Sequence, residues 1–298
     1  MPFVVHFSLM PIAIPETPPC VMCLSAGDAT AGGGLAADVL TLASMGCHPL
    51  PVQTAALVRD TRGIDEVWPV EPELLALQAR AVLEDVPVAA FKLGFCGSVE
   101  NAALIAEILS DYPEVPLVVE PALYAAVLLG EAGEEVAPAL ADLILPQTTL
   151  LVVDRHELCR LAGVADGGGG EDPADDEDAI DDPGVDEALA RLLGGGTEFI
   201  LLTGGSEHGP QVVNTLFGHE GVVRTDAWPR LAGRHLGAGA TLAAAAVAAM
   251  AHGMALPEAV REAQEFTQQA LRHAYRAGMG RALPDRFFWA RGKDDDDV

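Results

Sequence analysis

Two glycine-rich segments of this 298-residue sequence have the composition to hold a charged ligand without basic side chains. The first runs Ala26-Gly27-Asp28-Ala29-Thr30-Ala31-Gly32-Gly33-Gly34 and leads into Leu35-Ala36-Ala37-Asp38. The second, Gly237-Ala238-Gly239-Ala240-Thr241, opens the apolar run Leu242 to Ala251. Glycine lets the backbone approach a ligand closely, and the first amides of a helix lack intrahelical acceptors and carry partial positive charge. A glycine turn before a helix is therefore suited to a phosphate or another anion. No Gly-Lys-Ser/Thr follows the first segment, which excludes a Walker A loop. Gly32-x-Gly34-x-x-Ala37 does fit a loose dinucleotide fingerprint, but its turn is longer than the tight Rossmann turn. A plain strand-to-helix connection is the competing account of that segment.

Other reactive residue types are less informative. Cys20 and Cys23 form a CxxC pair with no second pair and no nearby His, so a structural role is expected. Cys47, Cys96 and Cys159 lie in apolar surroundings and read as packing residues. The eight histidines show no metal-ligand spacing. His235, close to the late glycine segment, reads as a surface histidine or as polar lining of the site. Asp28 suits a turn-stabilising role, contact with a cation, or service as a stand-in base.

The elements that must position these segments follow from hydrophobic periodicity. Val21–Ser25, Leu50–Val58, Val88–Phe95, Pro116–Glu120, Leu150–Val153 and Phe199–Thr203 read as strands. Helices are expected from Gly34 to Met45, from Pro72, from Val99 to Leu109, over Leu242–Ala251, and from Pro257 after a stop at Gly253. Alternating strands and helices predict an α/β fold, a doubly wound, mostly parallel sheet with helices on both faces. Ile64–Val70 and Val212–Thr225 read as antiparallel additions. One domain is expected over residues 20–290.

Composition narrows the partners. Against 44 acidic residues stand 17 basic ones, a net charge of −27, which argues against nucleic acid or an anionic membrane surface. Five cysteines at irregular spacing fit a reducing compartment, and a cytoplasmic location is expected. Residues 1–19 contain five prolines and no Lys or Arg, a pattern unlike a signal peptide or a membrane helix, and read as a disordered extension. Residues 166–184 read as an acidic, glycine-rich surface insertion and 291–298 as a solvated acidic tail.

Taken in order, the first glycine loop, Asp38, Asp60-Thr61-Arg62-Gly63, Lys92-Leu93-Gly94, Val118-Val119-Glu120-Pro121, Leu145-Pro146, Thr203-Gly204-Gly205 and the late Gly-x-Gly-x-Thr helix resemble the phosphomethylpyrimidine kinases of the ribokinase-like superfamily. The resemblance spans about Val21 to Leu283. It implies phosphorylation of hydroxymethylpyrimidine and of its monophosphate, with ATP and Mg²⁺, in thiamine biosynthesis. It also implies that Gly237, Ala238, Gly239 and Ala240 form an anion hole for the transferring phosphoryl group, and that Ala26, Asp38 and Arg59 occupy substrate-binding positions. Asp154 and Glu157 stand in the Asn-x-x-Glu motif tied to Mg²⁺ and phosphate, with Asp replacing Asn. Thr203, Gly205 and Thr241 are implied nucleotide contacts, and a homodimer is implied as well.

Three positions depart from the pattern. Arg59 replaces a Gln or Glu and only donates hydrogen bonds, Asp154 replaces Asn, and Ala240 stands where the family has a Cys, and ribokinase-like enzymes an Asp, as the candidate base. Loss of a positioned base costs roughly 10²- to 10⁴-fold in rate, while the backbone cradle survives, and loose phosphoryl transfer leans mainly on positioning and electrostatics. Two rival expectations remain: a pyrimidine- or nucleotide-binding protein without catalysis, and a nicotinamide-dependent oxidoreductase resting on the loose fingerprint alone.

Overall fold

Strand β1, Cys20–Asp28, is buried on both faces. Cys20, Met22, Leu24 and Ala26 point into one apolar cluster, and Val21 and Cys23 into the other. That two-sided burial is why the segment reads as a continuous apolar run rather than an alternation. It also separates the CxxC pair, since residues three apart on a strand face opposite ways. The computed structural model describes residues 17–165, 183–205 and 209–291, and all five cysteines are buried.

The chain continues through α1 (Gly34–Ser44), β2 (His48–Arg59), β3 (Ile64–Pro69), α2 (Pro72–Leu83), β4 (Ala90–Leu93), α3 (Val99–Ser110) and β5 (Leu117–Val119). Two short helices, α4 (Glu131–Glu134) and α5 (Val136–Leu143), precede β6 (Leu150–Asp154), α6 (Arg155–Ala162), α7 (Pro183–Gly194) and β7 (Phe199–Thr203). The hairpin β8 (Gln211–Gly218) and β9 (Gly221–Pro229) leads to α8 (Ala238–Ala251) and α9 (Leu256–Arg272). One sheet runs in the order β3-β2-β1-β4-β5-β6-β7-β8-β9. Pairings from β2 to β7 are parallel, and β3, β8 and β9 add antiparallel edges. The fold is the α/β, doubly wound and mostly parallel sheet expected from the alternation of elements.

Strand order reverses between β1 and β4, which opens a crevice above their carboxyl ends, the usual ligand position in such sheets. The β1–β2 register slips between Ser25 and Gly27, so β1 bends where the first glycine loop begins. On one side of the sheet, α1, α8 and α9 cover the smaller cluster. Helix α8 is buried from Ala240 to Ala249. Its alanines lose no side-chain entropy, and their small size lets the helix lie close to both the sheet and α9.

Most expected elements appear within a few residues of their predicted limits. The strand expected over 88–95 is shorter, because Gly94 turns away with its amide donating to Leu24 O and a Cβ there would meet Ser25 Oγ. Pro19 O already accepts from His48 N, so sheet pairing starts one residue before the expected domain edge. Residues 1–16, 166–182 and 292–298, which hold most of the expected extension, insertion and tail, lie outside the described residues. Pro183 and Gly184 correct the end of the insertion, since they open α7. Among the described residues no helix is long and apolar enough to cross a membrane.

Candidate active site

The carboxyl ends of β1, β2, β4, β5 and β6 bring charged residues to one crevice. At the end of β1, Asp28 Oδ1 accepts from Thr30 N at 2.8 Å and Thr30 Oγ1 at 2.7 Å, and Oδ2 accepts from Gly33 N at 2.9 Å. The Arg59 guanidinium at the end of β2 adds an ion pair at 3.4 Å. Asp28 is therefore the organiser of its own loop, the turn role anticipated for it. Arg59, implied as a substrate contact, has a side chain only 2% exposed and turned onto Asp28.

The floor of the crevice is a buried charge network. Lys92 Nζ lies 3.0 Å from Asp38 Oδ1, 3.1 Å from Asp38 Oδ2 and 3.4 Å from Glu120 Oε2. Asp38, an implied substrate-binding position, and Lys92 are fully buried, and the pair forms the base of the crevice floor. Burial pushes the Asp38 carboxyl up, with Lys92 pulling the other way. Burial also raises Glu120 to about 7, Lys92 opposing and Asp38 reinforcing. Glu120 differs from Asp38 in access, since 13% of its side chain remains exposed.

Helix α8 opens towards this floor. Gly237 adopts φ +83° and precedes the helix without a side-chain cap. A Cβ on Gly237 would fall 1.7 Å from Gly32 O, and one on Gly239 would fall 3.0 Å from Glu120 Oε1. The two glycine loops thus touch, and glycine is what permits the contact. Arg286 fastens them: its Nη1 and Nη2 donate to Ala31 O and Gly32 O, and its Nε donates to Thr241 Oγ1. Thr241 also donates to Gly237 O and is buried, which makes it a brace of the cradle. Gly32 packs against Leu236 and Leu283, and a Cβ on Gly34 would strike Ala26 O. The glycines of the dinucleotide-like pattern therefore serve internal packing, and Ala26 is buried in the larger apolar cluster.

Asp154 ends β6 and caps α6, its Oδ1 accepting from Glu157 N at 2.9 Å. Glu157 Oε1 accepts from Leu123 N at 2.9 Å. Burial, with Glu120 and Asp154 nearby, raises Glu157 to about 8. No cluster of three His, Cys, Asp or Glu arranged to hold a metal occurs among the described residues. Thr203 donates to Val153 O, and Gly205 O accepts from Arg230, so both lie at the β7 end. A cavity of about 330 Å³ adjoins the cradle, lined in part by Leu231, Arg234, His235, Leu271 and Arg276.

A family model described as phosphomethylpyrimidine kinase matches residues 28–285, a span containing every one of these groups except Ala26 and Arg286. The chain belongs to that family. A hydroxymethylpyrimidine/phosphomethylpyrimidine kinase of Streptomyces coelicolor is 32% identical, over 94% of this chain and 98% of its own length. Among solved structures, a pyridoxal kinase of Staphylococcus aureus superposes with a TM-score of 0.78 at 21% identity, covering 92% of this chain and 96% of its own. A phosphomethylpyrimidine kinase of Clostridium difficile gives 0.65 at 23% identity, covering 86% and 100%. These likenesses agree with the ribokinase-like sheet order. Family membership also removes the oxidoreductase expectation, which rested on glycines now seen to pack internally.

Sequence reasoning gave Lys92 and Glu120 no role and passed over Arg286. For Lys92 the signal was present: a lone lysine inside the apolar strand Ala90–Leu93 needs a buried counter-charge. For Arg286 no local signal exists, because its partners lie 45 and about 250 residues away.

Proposed function

We propose that this phosphomethylpyrimidine kinase family member transfers the γ-phosphoryl group of ATP to the hydroxymethyl oxygen of hydroxymethylpyrimidine, and then a second one to the resulting monophosphate, in thiamine biosynthesis. The observation that carries this reading is the uncapped start of α8 at Gly237–Ala240, opening on the crevice where strand order reverses. In that position the amides of Ala238, Gly239 and Ala240 face developing charge on the transferring group, the kind of preorganised electrostatics on which phosphoryl transfer depends.

The triphosphate lies over β6 and β7, near Asp154, Glu157, Thr203 and Gly205, with the base in the cavity beside Leu231 and Leu271. Asp154 and Glu157 would hold Mg²⁺, which is commonly bound through one or two carboxylates and the substrate phosphates. The crowding that raises Glu157 to about 8 fits a cation there. When bound, the ion supplies charge neutralisation to the phosphates. The pyrimidine sits above Lys92, between the Asp28–Arg59 pair and Glu120. Residues 20–290 act as one domain, and the protein works as a homodimer in the cytoplasm.

Ala240 supports a second reading, a binding protein that has lost its chemistry. Incubation with MgATP and either pyrimidine, read by mass spectrometry, separates the two. Phosphorylated product absent from an enzyme-free control supports the kinase. No product, with pyrimidine or ATP binding intact by calorimetry, refutes it in favour of the binding protein.

A further inference from the structure

A hydroxymethyl group must lose its proton as its oxygen attacks phosphorus, and Ala240 offers nothing to receive it. Charged side chains around the cradle divide by what they already do. Asp28 spends both oxygens on Thr30, Gly33 and Arg59. Asp38 is sealed beneath Lys92. Asp154 caps α6, and Glu157 accepts from Leu123 N. Glu120 alone among these combines partial exposure with contact to the cradle. Its Oε2 is held at 3.4 Å by Lys92, while Oε1 lies against Gly239, 3.0 Å from where a Cβ would stand.

We infer that Glu120 is the proton acceptor for the hydroxymethyl step, taking the role that residue 240 lacks the side chain to perform. Lys92 anchors one carboxylate oxygen and leaves the other facing the neighbour of Ala240. In the reaction the hydroxymethyl O–H breaks and its proton passes to Glu120 Oε1. The oxygen forms a bond to the γ-phosphorus as the bond from phosphorus to the β–γ bridging oxygen breaks, and ADP leaves with that electron pair. The carboxyl then returns the proton to solvent through its exposed edge.

The inference rests on the proposed kinase activity, and the two-step substrate series tests them separately. A hydroxymethyl group needs a proton acceptor, whereas the phosphate of the monophosphate is already anionic and attacks without one. Glu120→Gln is expected to lower kcat for hydroxymethylpyrimidine by about 10²-fold or more, and for the monophosphate by less than about tenfold. Adding Ala240→Asp to Glu120→Gln is expected to recover the first step. Glu120→Asp keeps the charge beside Lys92 but draws the oxygen back, and it should show the same selective loss should Glu120→Gln fail to fold by circular dichroism. Equal loss on both substrates, or no loss on either, overturns the role of Glu120. A wild-type protein that phosphorylates neither substrate overturns the kinase reading itself.

Discussion

Replacing Lys92 with Met keeps most of the side-chain volume and removes the cation that faces Asp38 and Glu120 across 3.0 and 3.4 Å. Since Lys92 and Asp38 are fully buried, the variant would deprive a sealed Asp38 and a mostly buried Glu120 of their nearest counter-charge. Removing one partner of a buried pair costs about 3–5 kcal/mol, which for a domain of this size lowers Tm by roughly 6–20 °C. The loss should depend on pH. Burial already raises Asp38 and Glu120, and Lys92 opposes that rise, so Lys92→Met moves both folded-state pKa values further up. A carboxyl raised by folding destabilises the fold while it is ionised, and that penalty fades as pH drops below its folded pKa. The deficit against wild type is therefore largest near pH 8 and smaller near pH 5.5. Denaturant unfolding at both pH values reads it directly, with Lys92→Met/Asp38→Asn expected to recover part of the loss. A deficit equal at the two pH values, and untouched by Asp38→Asn, would show that Lys92 matters for packing and would refute the electrostatic account.

Gly237→Ala places a methyl 1.7 Å from Gly32 O at φ +83°. It should cost at least about 1–2 kcal/mol in backbone strain alone, and kcat should fall with little change in the far-ultraviolet circular dichroism. Arg286→Ala removes donors to three acceptors. A loss of roughly 3 kcal/mol is expected, with kcat/KM partly restored by added guanidinium, a rescue that a general packing defect would not show. Burial lifts the Cys47 thiol to about 11 and the Cys96 thiol to about 12. All five cysteines are buried, so iodoacetamide at pH 8 should label none of them in the folded protein and all five in urea, as read by intact mass.

The sheet was legible because local patterns and global position agree. Val21 to Ser25 and Phe199 to Thr203 are apolar on both faces, and the prolines near 72 and 257 mark helix starts that the structure keeps. Between Pro121 and Gln147 the pattern carried less information. No element was expected there, and Pro138 falls in the first turn of α5, where an amide is not needed. The two glycine loops could be recognised as ligand-facing, but not their contact with each other. Gly32 meeting Gly237, and Arg286 joining both, depend on tertiary closure across more than 200 residues. The family resemblance likewise implied that Asp38 and Arg59 face a substrate. Only the packing shows each turned onto a charged neighbour, Lys92 in one case and Asp28 in the other.

The Arg286 clasp gives the order of synthesis a role. Strand β1 and its loop leave the ribosome well before Arg286, the residue that fastens Ala31 and Gly32 to α8. Until then the sheet centre can form, but the cradle and the loop opposite it have no common anchor. A nascent chain thus holds most of its fold without a finished site, and a stop codon shortly before Arg286 would yield a shell of the same architecture with its working parts unfastened.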